Sequence, residues 1–279
     1  MRYKLIAIDL DFTLLNNQHR ITKRNQRALM ELSEIATVVF ASGRPISSMA
    51  PYLKLFPKGT IKYLLGSNGA HCIDEEGNIF YEAYIEGAML LPIYREAQRR
   101  DVSFHFFHEG AIYSNVDSII VRKDAEFMEM PLKIVDDFDS MLVGMHLHKF
   151  HSMGEPPKLL EYYEWLVEQN LPLHPILSKP YIMEVPPSGV DKGIALDRLA
   201  KQLGIRRREV LAAGDSFNDA GMLKYAGLGL AMNNAPKGVK TIADRTLYVN
   251  HEENLAEILL EIVRDPKQKR LLTYKESLI

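Results

Sequence analysis

Four aspartates stand in two short motifs far apart in the sequence. The motif Asp9-x-Asp11-x-Thr13 follows the first apolar run, and Asp215 and Asp219 follow another apolar run late in the chain. Carboxylates that converge in one pocket repel one another, so a cation must hold them together or some of them must be protonated. An all-oxygen ligand set suits a hard ion, and a few carboxylates with waters suit Mg2+ better than a closed Ca2+ cage.

Two further groups add positive charge and hydrogen-bond donors. Ser42-Gly43-Arg44 follows a second apolar run, where the Ser42 hydroxyl and the backbone N–H groups of Gly43 and Arg44 could cradle an anion at a helix start. Lys192 stands at the head of a later predicted helix and adds an ammonium group. Carboxylates, a divalent cation, a lysine and an anion cradle together make a site for phosphoryl transfer.

Short, unbroken apolar runs precede these motifs and are predicted to be strands buried on both faces. The predicted strands cover residues 5–8, 37–41, 63–65, 210–213 and 228–232. Apolar residues at helical spacing predict a helix after the N-cap Thr22 and further helices at residues 47–54, 191–203 and 253–263. Alternating strands and helices predict right-handed crossovers in a doubly wound parallel sheet. Because ligands bind at the carboxyl ends of such strands, the motifs should converge on one crevice.

The middle of the chain has a different pattern. Strands are predicted at residues 102–107, 111–114, 141–148 and 181–185, around helices at 87–100 and 158–169. This pattern predicts an α+β insertion at residues 83–187 inside an α/β core domain formed by residues 1–82 and 188–279. Four aromatic residues are predicted to lie in the core of the insertion: Phe104, Phe106, Phe107 and Tyr113.

Six of the nine histidines fall in the insertion: His105, His108, His146, His148, His151 and His174. His146 and His148 share one predicted strand face, so a second metal site is one interpretation. Because no acidic or cysteine partner accompanies them at ligand spacing, the favoured interpretation is that these are surface or substrate-pocket residues. Cys72, the single cysteine, is predicted to be a small buried hydrophobic residue.

The composition excludes several classes of partner. Thirty-four Lys and Arg against 36 Asp and Glu give a net charge of −2, which offers no strong attraction to nucleic acid or an anionic membrane. Lys267, Lys269 and Arg270 near the C-terminus are too few for nucleic-acid binding. No apolar run approaches the ~20 residues that span a bilayer, and the first residues do not form a signal peptide. We expect a soluble, cytoplasmic protein, and the sequence indicates no oligomeric state.

The order and spacing of these residues resemble the haloacid dehalogenase superfamily of phosphatases, most closely its Cof-like branch. The matching motifs are Asp9-x-Asp11-x-Thr13, Ser42-Gly43-Arg44, Lys192, and Gly214-Asp215-Ser216-x-Asn218-Asp219. The resemblance covers the chain apart from its C-terminal tail. It implies an α/β, Rossmann-like core with an α+β cap domain inserted between the second and third motifs, where the insertion lies. Phe12 stands where many relatives have Gly, and Ser216 where many have Asn, which bears on loop shape and substrate fit.

The resemblance also implies a role for each matching residue. Asp9 is expected to be the nucleophile that forms an aspartyl-phosphate, and Asp11 the general acid and then the base. Mg2+ is expected to bind Asp9, the backbone carbonyl of Asp11, and Asp215, with Asp219 acting directly or through water. Other matching residues are expected to bind the phosphate or substrate, position the loop or neutralise charge: Thr13, Ser42, Gly43, Arg44, Asn68, Lys192 and Asn218.

The function implied by the resemblance is Mg2+-dependent hydrolysis of a small phosphorylated metabolite, a sugar phosphate or a phosphorylated cofactor. An alternative is a phosphomutase or phosphotransferase, in which a substrate hydroxyl attacks the Asp9 phosphate. A signalling receiver module also places aspartates, a lysine and Mg2+ at strand ends. The large insertion and the Asp9-x-Asp11 pair argue against it. A non-catalytic phospho-ligand binding protein is disfavoured because every catalytic residue type is present.

Overall fold

The computed structural model of the protein describes residues 3–247 and 254–265. The strands in these ranges are β1 (Leu5–Ile8), β2 (Thr37–Ala41), β3 (Tyr63–Gly66), β4 (His71–Asp74), β5 (Ile79–Glu82), β6 (Ile85–Glu86), β7 (Ser103–His108), β8 (Ala111–Ser114), β9 (Leu132–Ile134), β10 (His146–Leu147), β11 (Phe150–Met153), β12 (Ile176–Lys179), β13 (Ile182–Val185), β14 (Val210–Gly214), β15 (Leu228–Met232) and β16 (Arg245–Leu247). The α-helices are α1 (Lys23–Ser33), α2 (Ile46–Leu53), α3 (Gly87–Arg99), α4 (Ile119–Met128), α5 (Phe138–Val143), α6 (Pro156–Glu168), α7 (Lys192–Gln202), α8 (Ala220–Tyr225), α9 (Lys237–Ile242) and α10 (Leu255–Arg264). Within the described ranges, no helix combines the length and apolarity needed to cross a bilayer. The basic residues at 267, 269 and 270 lie outside these ranges.

The chain divides into two compact units, one with residues up to Tyr81 and from Asp191 onward, the other with Glu82–Val190. The first unit contains an eight-stranded sheet in the order β16-β15-β14-β1-β2-β3-β4-β5. The strands from β16 to β3 in this order pair in parallel, and β4 runs antiparallel to β3. The predicted doubly wound α/β core is therefore confirmed. In this order β1 lies between β14 and β2, so Asp9 and Asp215 leave neighbouring strands at the same edge of the sheet.

The central strands are buried on both faces, which explains their unbroken apolar sequences. Ile6 and Ile8 pack on one face with residues of α1 and α10, whereas Leu5 and Ala7 pack on the other face with residues of α7 and α8. The strand predictions at 5–8, 37–41 and 228–232 are confirmed residue for residue. Cys72 lies in the second of these cores without exposure, and burial raises the pKa of its thiol to about 12. This confirms its predicted place in the interior.

The second unit is an α+β structure with its own six-stranded sheet in the order β12-β13-β11-β7-β8-β9. Its neighbouring strands are antiparallel except for β8 and β9. Phe104, Phe106 and Tyr113 lie in the main core, as predicted. Phe107 alternates to the opposite face of β7 and packs against the residues of α4. The sheet therefore has one aromatic face and one face that α4 partly covers.

The predicted strand at residues 141–148 is wrong. The structure has helix α5 there, followed by the two-residue strand β10. The Asp137 side chain accepts a hydrogen bond from the Ser140 N–H and starts the helix, and Phe138 and Leu142 bury the same face one turn apart. The four helices of this unit also exceed the two predicted. Helix α4 escaped prediction because its first residues, Ile119, Ile120 and Val121, are typical of a strand.

Candidate active site

Three carboxylates converge at the carboxyl ends of the parallel strands. Asp9 directly follows β1, Asp215 directly follows β14, and Asp219 ends a short turn that follows Asp215. One ligand oxygen from each lies within 4.8 Å of the others, and all three residues are buried. We call these residues, with Lys192, the carboxylate cluster. The structure therefore brings together acidic residues that are more than 200 positions apart in the sequence.

Lys192 supplies the positive charge inside this cluster. Its Nζ lies 2.7 Å from Asp9 Oδ1 and 2.6 Å from Asp219 Oδ1, and its side chain has no exposed surface. Burial alone would lower the pKa of Lys192, but the Asp219 and Asp9 carboxylates raise it well above its ordinary value. The ammonium is held at the first position of α7, where the Asp191 side chain caps the helix by accepting from the Ile194 N–H.

One ammonium does not balance three carboxylates. Burial and the neighbouring Asp219 raise the pKa of Asp9 well above its ordinary value, and the same two causes raise the pKa of Asp215 to about 7. These shifts mean that the buried negative charges lack a counter-charge. A divalent cation would supply it, and the donor set consists of the hard carboxylate oxygens that Mg2+ prefers. The residues present therefore fit such an ion.

Several hydrogen bonds orient the cluster. Thr13 Oγ donates to Asp215 Oδ1 over 3.1 Å, and Asn234 Nδ2 donates to Asp215 Oδ2 over 3.0 Å. Asp219 Oδ2 accepts from the backbone N–H groups of Asp215 and Ser216, both at 2.9 Å. Asn234 was not among the residues predicted for the site. It follows β15, so the same expectation of polar residues at the carboxyl ends of parallel strands could have identified it.

Asp11 lies outside this cluster of ligand oxygens and pairs with Arg44 instead. The Arg44 guanidinium donates to both Asp11 carboxylate oxygens at 2.8–3.1 Å, and the Arg44 side chain is fully buried. Arg44 also donates to Ser48 Oγ over 3.0 Å and lies 3.2 Å from His19 Nδ1. Burial would raise the pKa of Asp11, but hydrogen bonds from His19 and Arg44 hold it below its ordinary value. The sequence predicted Arg44 as a phosphate- or substrate-binding residue, but it predicted neither the pairing of Arg44 with Asp11 nor any role for His19, because nothing local links residues 11, 19 and 44.

The remaining predicted residues meet at the adjacent loops. Asn218 Nδ2 donates to Asn68 Oδ1 over 3.0 Å, and the Asn68 N–H donates to the Ser42 carbonyl over 3.0 Å. Ser42 Oγ accepts from the Arg44 N–H over 3.1 Å, with the partly exposed Gly43 between them. The loops that follow β2, β3 and β14 are therefore joined directly, and every residue predicted for the site lies at this edge of the sheet.

A second buried group of charged residues lies in the unit formed by Glu82–Val190. His105 Nε2 and His151 Nδ1 both contact Asp124 Oδ2, at 2.8 and 2.9 Å. Lys149 Nζ lies 2.7 Å from His151 Nε2 and 3.0 Å from Glu184 Oε2. We call these five residues the histidine cluster. His105 and His151 are buried, so the prediction that they are surface or substrate-pocket residues is wrong. Their acidic partner comes from helix α4, which the sequence did not predict.

The pKa values of the acids in the histidine cluster shift in the opposite direction. Burial would raise the pKa of Asp124, but the His151 and His105 rings hold it far below its ordinary value. Burial acts in the same way on Glu184, whose pKa is nevertheless held far below its ordinary value by Lys149 and His151. Outside this cluster, His146 pairs with Glu86 and stacks on Tyr84, and among the described residues neither His146 nor His148 belongs to a group of three ligand residues close enough to share an ion.

Comparison with known proteins places the chain in one family. The model of the haloacid dehalogenase-like hydrolases matches residues 6–259. The chain is 28% identical to phosphatase YwpJ of Bacillus subtilis over 93% of its own length and 100% of that protein, and 30% identical to an HMP-PP phosphatase of Yersinia pseudotuberculosis over 84% and 85%. A solved haloacid dehalogenase-like hydrolase from Bacteroides thetaiotaomicron superposes with a TM-score of 0.86 at 30% identity, covering 94% of this chain and 100% of that one.

Proposed function

The chain belongs to the haloacid dehalogenase-like hydrolases and is a Cof-like phosphatase, and from this premise we propose that it hydrolyses small phosphomonoesters through an aspartyl-phosphate on Asp9 with Mg2+ as cofactor. The observation that carries the proposal is the carboxylate cluster, where Asp9 lies beside two other carboxylates and 2.7 Å from the Lys192 ammonium. A buried carboxylate held in place at a strand end, next to a permanent positive charge, is suited to attack an electrophilic phosphorus.

In the first step, a carboxylate oxygen of Asp9 bonds to phosphorus while the bond between phosphorus and the ester oxygen breaks. Lys192, which contacts Asp9 Oδ1, limits the motion of the nucleophile and stabilises negative charge that develops on the phosphoryl group. In the second step, water attacks the phosphorus of the aspartyl-phosphate. Phosphate is released and the Asp9 carboxylate is restored.

Asp11 moves the protons in both steps. Its carboxyl group gives a proton to the departing ester oxygen and afterwards takes one from the attacking water. In the structure, Arg44 holds this carboxylate by both oxygens, with His19 beside it. Asp11 must therefore leave Arg44, take up a proton from solvent and turn toward the leaving group before the first step. We propose that Arg44 returns it to the same place after each cycle.

Asp9, Asp215 and the backbone carbonyl of Asp11 would hold the Mg2+ ion, and Asp219 would act directly or through water. When bound, the ion supplies the positive charge that the three carboxylates lack and that the phosphate also requires. Thr13 and Asn234 keep the Asp215 carboxylate in a fixed orientation for this purpose.

We propose that the other predicted residues bind the phosphate or the substrate: Thr13, Ser42, Gly43, Arg44, Asn68, Lys192 and Asn218. Ser42, Asn68 and Asn218 lie on three loops that hydrogen bonds already join, so they can offer donors without further rearrangement. The inserted unit, Glu82–Val190, is proposed to be the cap domain that chooses among phosphorylated metabolites.

The test is phosphate release from a panel of esters, with and without Mg2+. The panel contains hexose and pentose phosphates, flavin mononucleotide, pyridoxal phosphate and p-nitrophenyl phosphate. We expect release that requires Mg2+ and falls by about 10^3-fold or more in Asp9→Asn, since this variant lacks the nucleophile. Asp197→Asn, at a partly exposed aspartate paired with Lys201, is the matched control and should retain activity. Unchanged release in Asp9→Asn would overturn the assignment, and an isomeric ester as product would indicate phosphotransfer.

A further inference from the structure

Two phenylalanines are exposed on the loops that carry the carboxylate cluster. Phe12 stands between Asp11 and Thr13 and is 43% exposed, and Phe217 stands two residues after Asp215 and is 59% exposed. A phenylalanine ring carries a large apolar surface, and its exposure to water is unfavourable. The carboxylate chemistry requires neither ring, so both rings are available for contact with a substrate.

The two residues are held in different ways, Phe12 through its backbone and Phe217 through a contact of its ring. The Phe12 backbone is left-handed, with φ at 60°, and its carbonyl accepts from the same Asn234 Nδ2 that donates to Asp215. A non-glycine residue is uncommon in this conformation, and such outliers concentrate at functional sites. The Phe217 ring lies against Gly238, where an added Cβ would be 3.0 Å from the ring Cε1. Helix α9 therefore leaves room for an aromatic side chain at this point.

The burial of the cluster determines where a leaving group can go. Asp219 and Lys192 have no exposed surface and Asp9 is nearly buried, so a phosphoryl group on Asp9 has filled space behind it. The organic group of the ester therefore extends away from the buried cluster, and the exposed residues of the two loops that carry the cluster are within its surroundings. Along residues 10–14 and 215–219, the exposed residues are Phe12, Ser216 and Phe217. Two of the three offer an aromatic ring.

We infer that Phe12 and Phe217 form an aromatic rim that selects phosphomonoesters whose leaving group carries a flat aromatic or heteroaromatic ring. This inference rests on the proposed function, because it needs the phosphoryl group at Asp9. Aromatic rings attract one another in offset or edge-to-face arrangements, which a flat leaving group can adopt against the rim. A polyol would lose water from its hydroxyl groups against the same apolar surface without gaining hydrogen bonds there.

The first test compares benzyl phosphate with glycerol 3-phosphate. Both are monoesters of primary alcohols, so the reacting bond is similar and the organic group differs. We expect the wild type to have the higher kcat/KM for benzyl phosphate, and Phe12→Gly to lose about three- to tenfold of that preference. Glycine adopts the left-handed backbone readily, so the variant should fold. Phe12→Tyr should keep the preference, and Ile79→Ala, which removes an exposed side chain on β5, should not alter it.

The second test does not depend on turnover. Isothermal titration with benzylphosphonate and propylphosphonate, in the presence of Mg2+, measures the same preference in wild type and Phe12→Gly. Suppose that the protein hydrolyses no ester but binds benzylphosphonate more tightly than propylphosphonate, and that Phe12→Gly loses this difference. That result would retain the rim and overturn the proposed function. If esters are hydrolysed but Phe12→Gly loses kcat/KM equally on benzyl phosphate and glycerol 3-phosphate, the rim is overturned and the proposed function is retained. The same conclusion follows if the wild-type kcat/KM for benzyl phosphate is no higher than that for glycerol 3-phosphate.

Discussion

The carboxylate cluster and the histidine cluster each contain three buried residues whose ligand atoms lie within 4.8 Å of one another, yet their charges are arranged differently. In the carboxylate cluster, three acids share one ammonium, and the pKa values of Asp9 and Asp215 are raised. In the histidine cluster, two acids accept hydrogen bonds from a lysine and two imidazoles, and the pKa values of Asp124 and Glu184 are lowered. The acids of the first cluster lack a full counter-charge, whereas those of the second already have nitrogen partners within hydrogen-bond distance.

The position of the proton on His151 follows from the charged groups around its ring. Burial and Lys149 would lower the pKa of His151, but Asp124 and Glu184 raise it, so the ring keeps a proton on the Nδ1 that faces Asp124 Oδ2. A metal ion at Nδ1 would have to displace that proton and would place further positive charge near Lys149. Proximity of ligand atoms therefore does not identify a metal site. The balance of charge and the supply of protons decide between a site that binds an ion and a network that ties strands and helices together.

The strongest way to sharpen this comparison is to remove one charge from the histidine cluster. Asp124→Asn should lower the free energy of unfolding by about 3 kcal/mol, because it removes the buried carboxylate that both imidazole rings contact, while Glu184 remains the partner of Lys149. Urea denaturation followed by circular dichroism measures the loss. Asp139→Asn, at an exposed aspartate paired with Arg95, is the control and should change stability by less than about 0.5 kcal/mol. A loss as small as the control's would show that the network is not stabilising.

The next largest effect should come from adding Mg2+. Binding to the folded state alone raises the free energy of unfolding by about 2.7 kcal/mol when Mg2+ is present at 100 times its dissociation constant. Thermal denaturation in MgCl2, against KCl of equal ionic strength, should show this gain in wild type and in Asp124→Asn. Asp215→Asn should lose it. A gain that survives in Asp215→Asn would place the ion elsewhere.

A substitution at Arg44 should have a smaller effect on activity, and it distinguishes a role in positioning Asp11 from a role in folding. Arg44→Lys keeps the charge but not the two-pronged contact with Asp11, and kcat should fall about tenfold on alkyl phosphates. The fall should be smaller on p-nitrophenyl phosphate, whose leaving group requires little protonation. The ratio of the two rates is the measurement, because partial unfolding would reduce both equally. Equal losses would contradict the proposed role of Arg44 in placing Asp11.

The smallest expected effect is a dependence on pH. The pKa of Asp124 is lowered in the folded state, so its stabilising contribution is complete above its unfolded pKa and is lost as pH falls toward the folded pKa. The stability difference between wild type and Asp124→Asn should therefore narrow by about 1 kcal/mol between pH 7 and pH 3. Urea denaturation at both pH values measures it. A difference that widens in acid would show that the pKa of Asp124 is raised instead.

The predicted and observed elements agree most closely in strands that are buried on both faces. The strands β1, β2 and β15 are apolar along their whole length because helices cover both faces of the sheet, so their ends are visible in the sequence. Agreement is poorest in α4, where the core-facing positions are Val121, Asp124, Ala125 and Met128. The buried Asp124 interrupts the apolar periodicity of that helix. Its burial is explained only by its contacts with His105 on β7 and His151 on β11.

The sequence by itself determined the class of fold, the order of its strands and helices in the core, and the edge of the sheet at which its acidic motifs stand. It could do so because strand burial is a local pattern and parallel strands end on the same side. Only the tertiary structure decided which polar groups pair. Asp11 with Arg44, Asp215 with Thr13 and Asn234, and Asp124 with His105 and His151 are contacts between residues 19 to 202 positions apart. Such pairs depend on where packed elements place their side chains, and no periodicity in the chain records that.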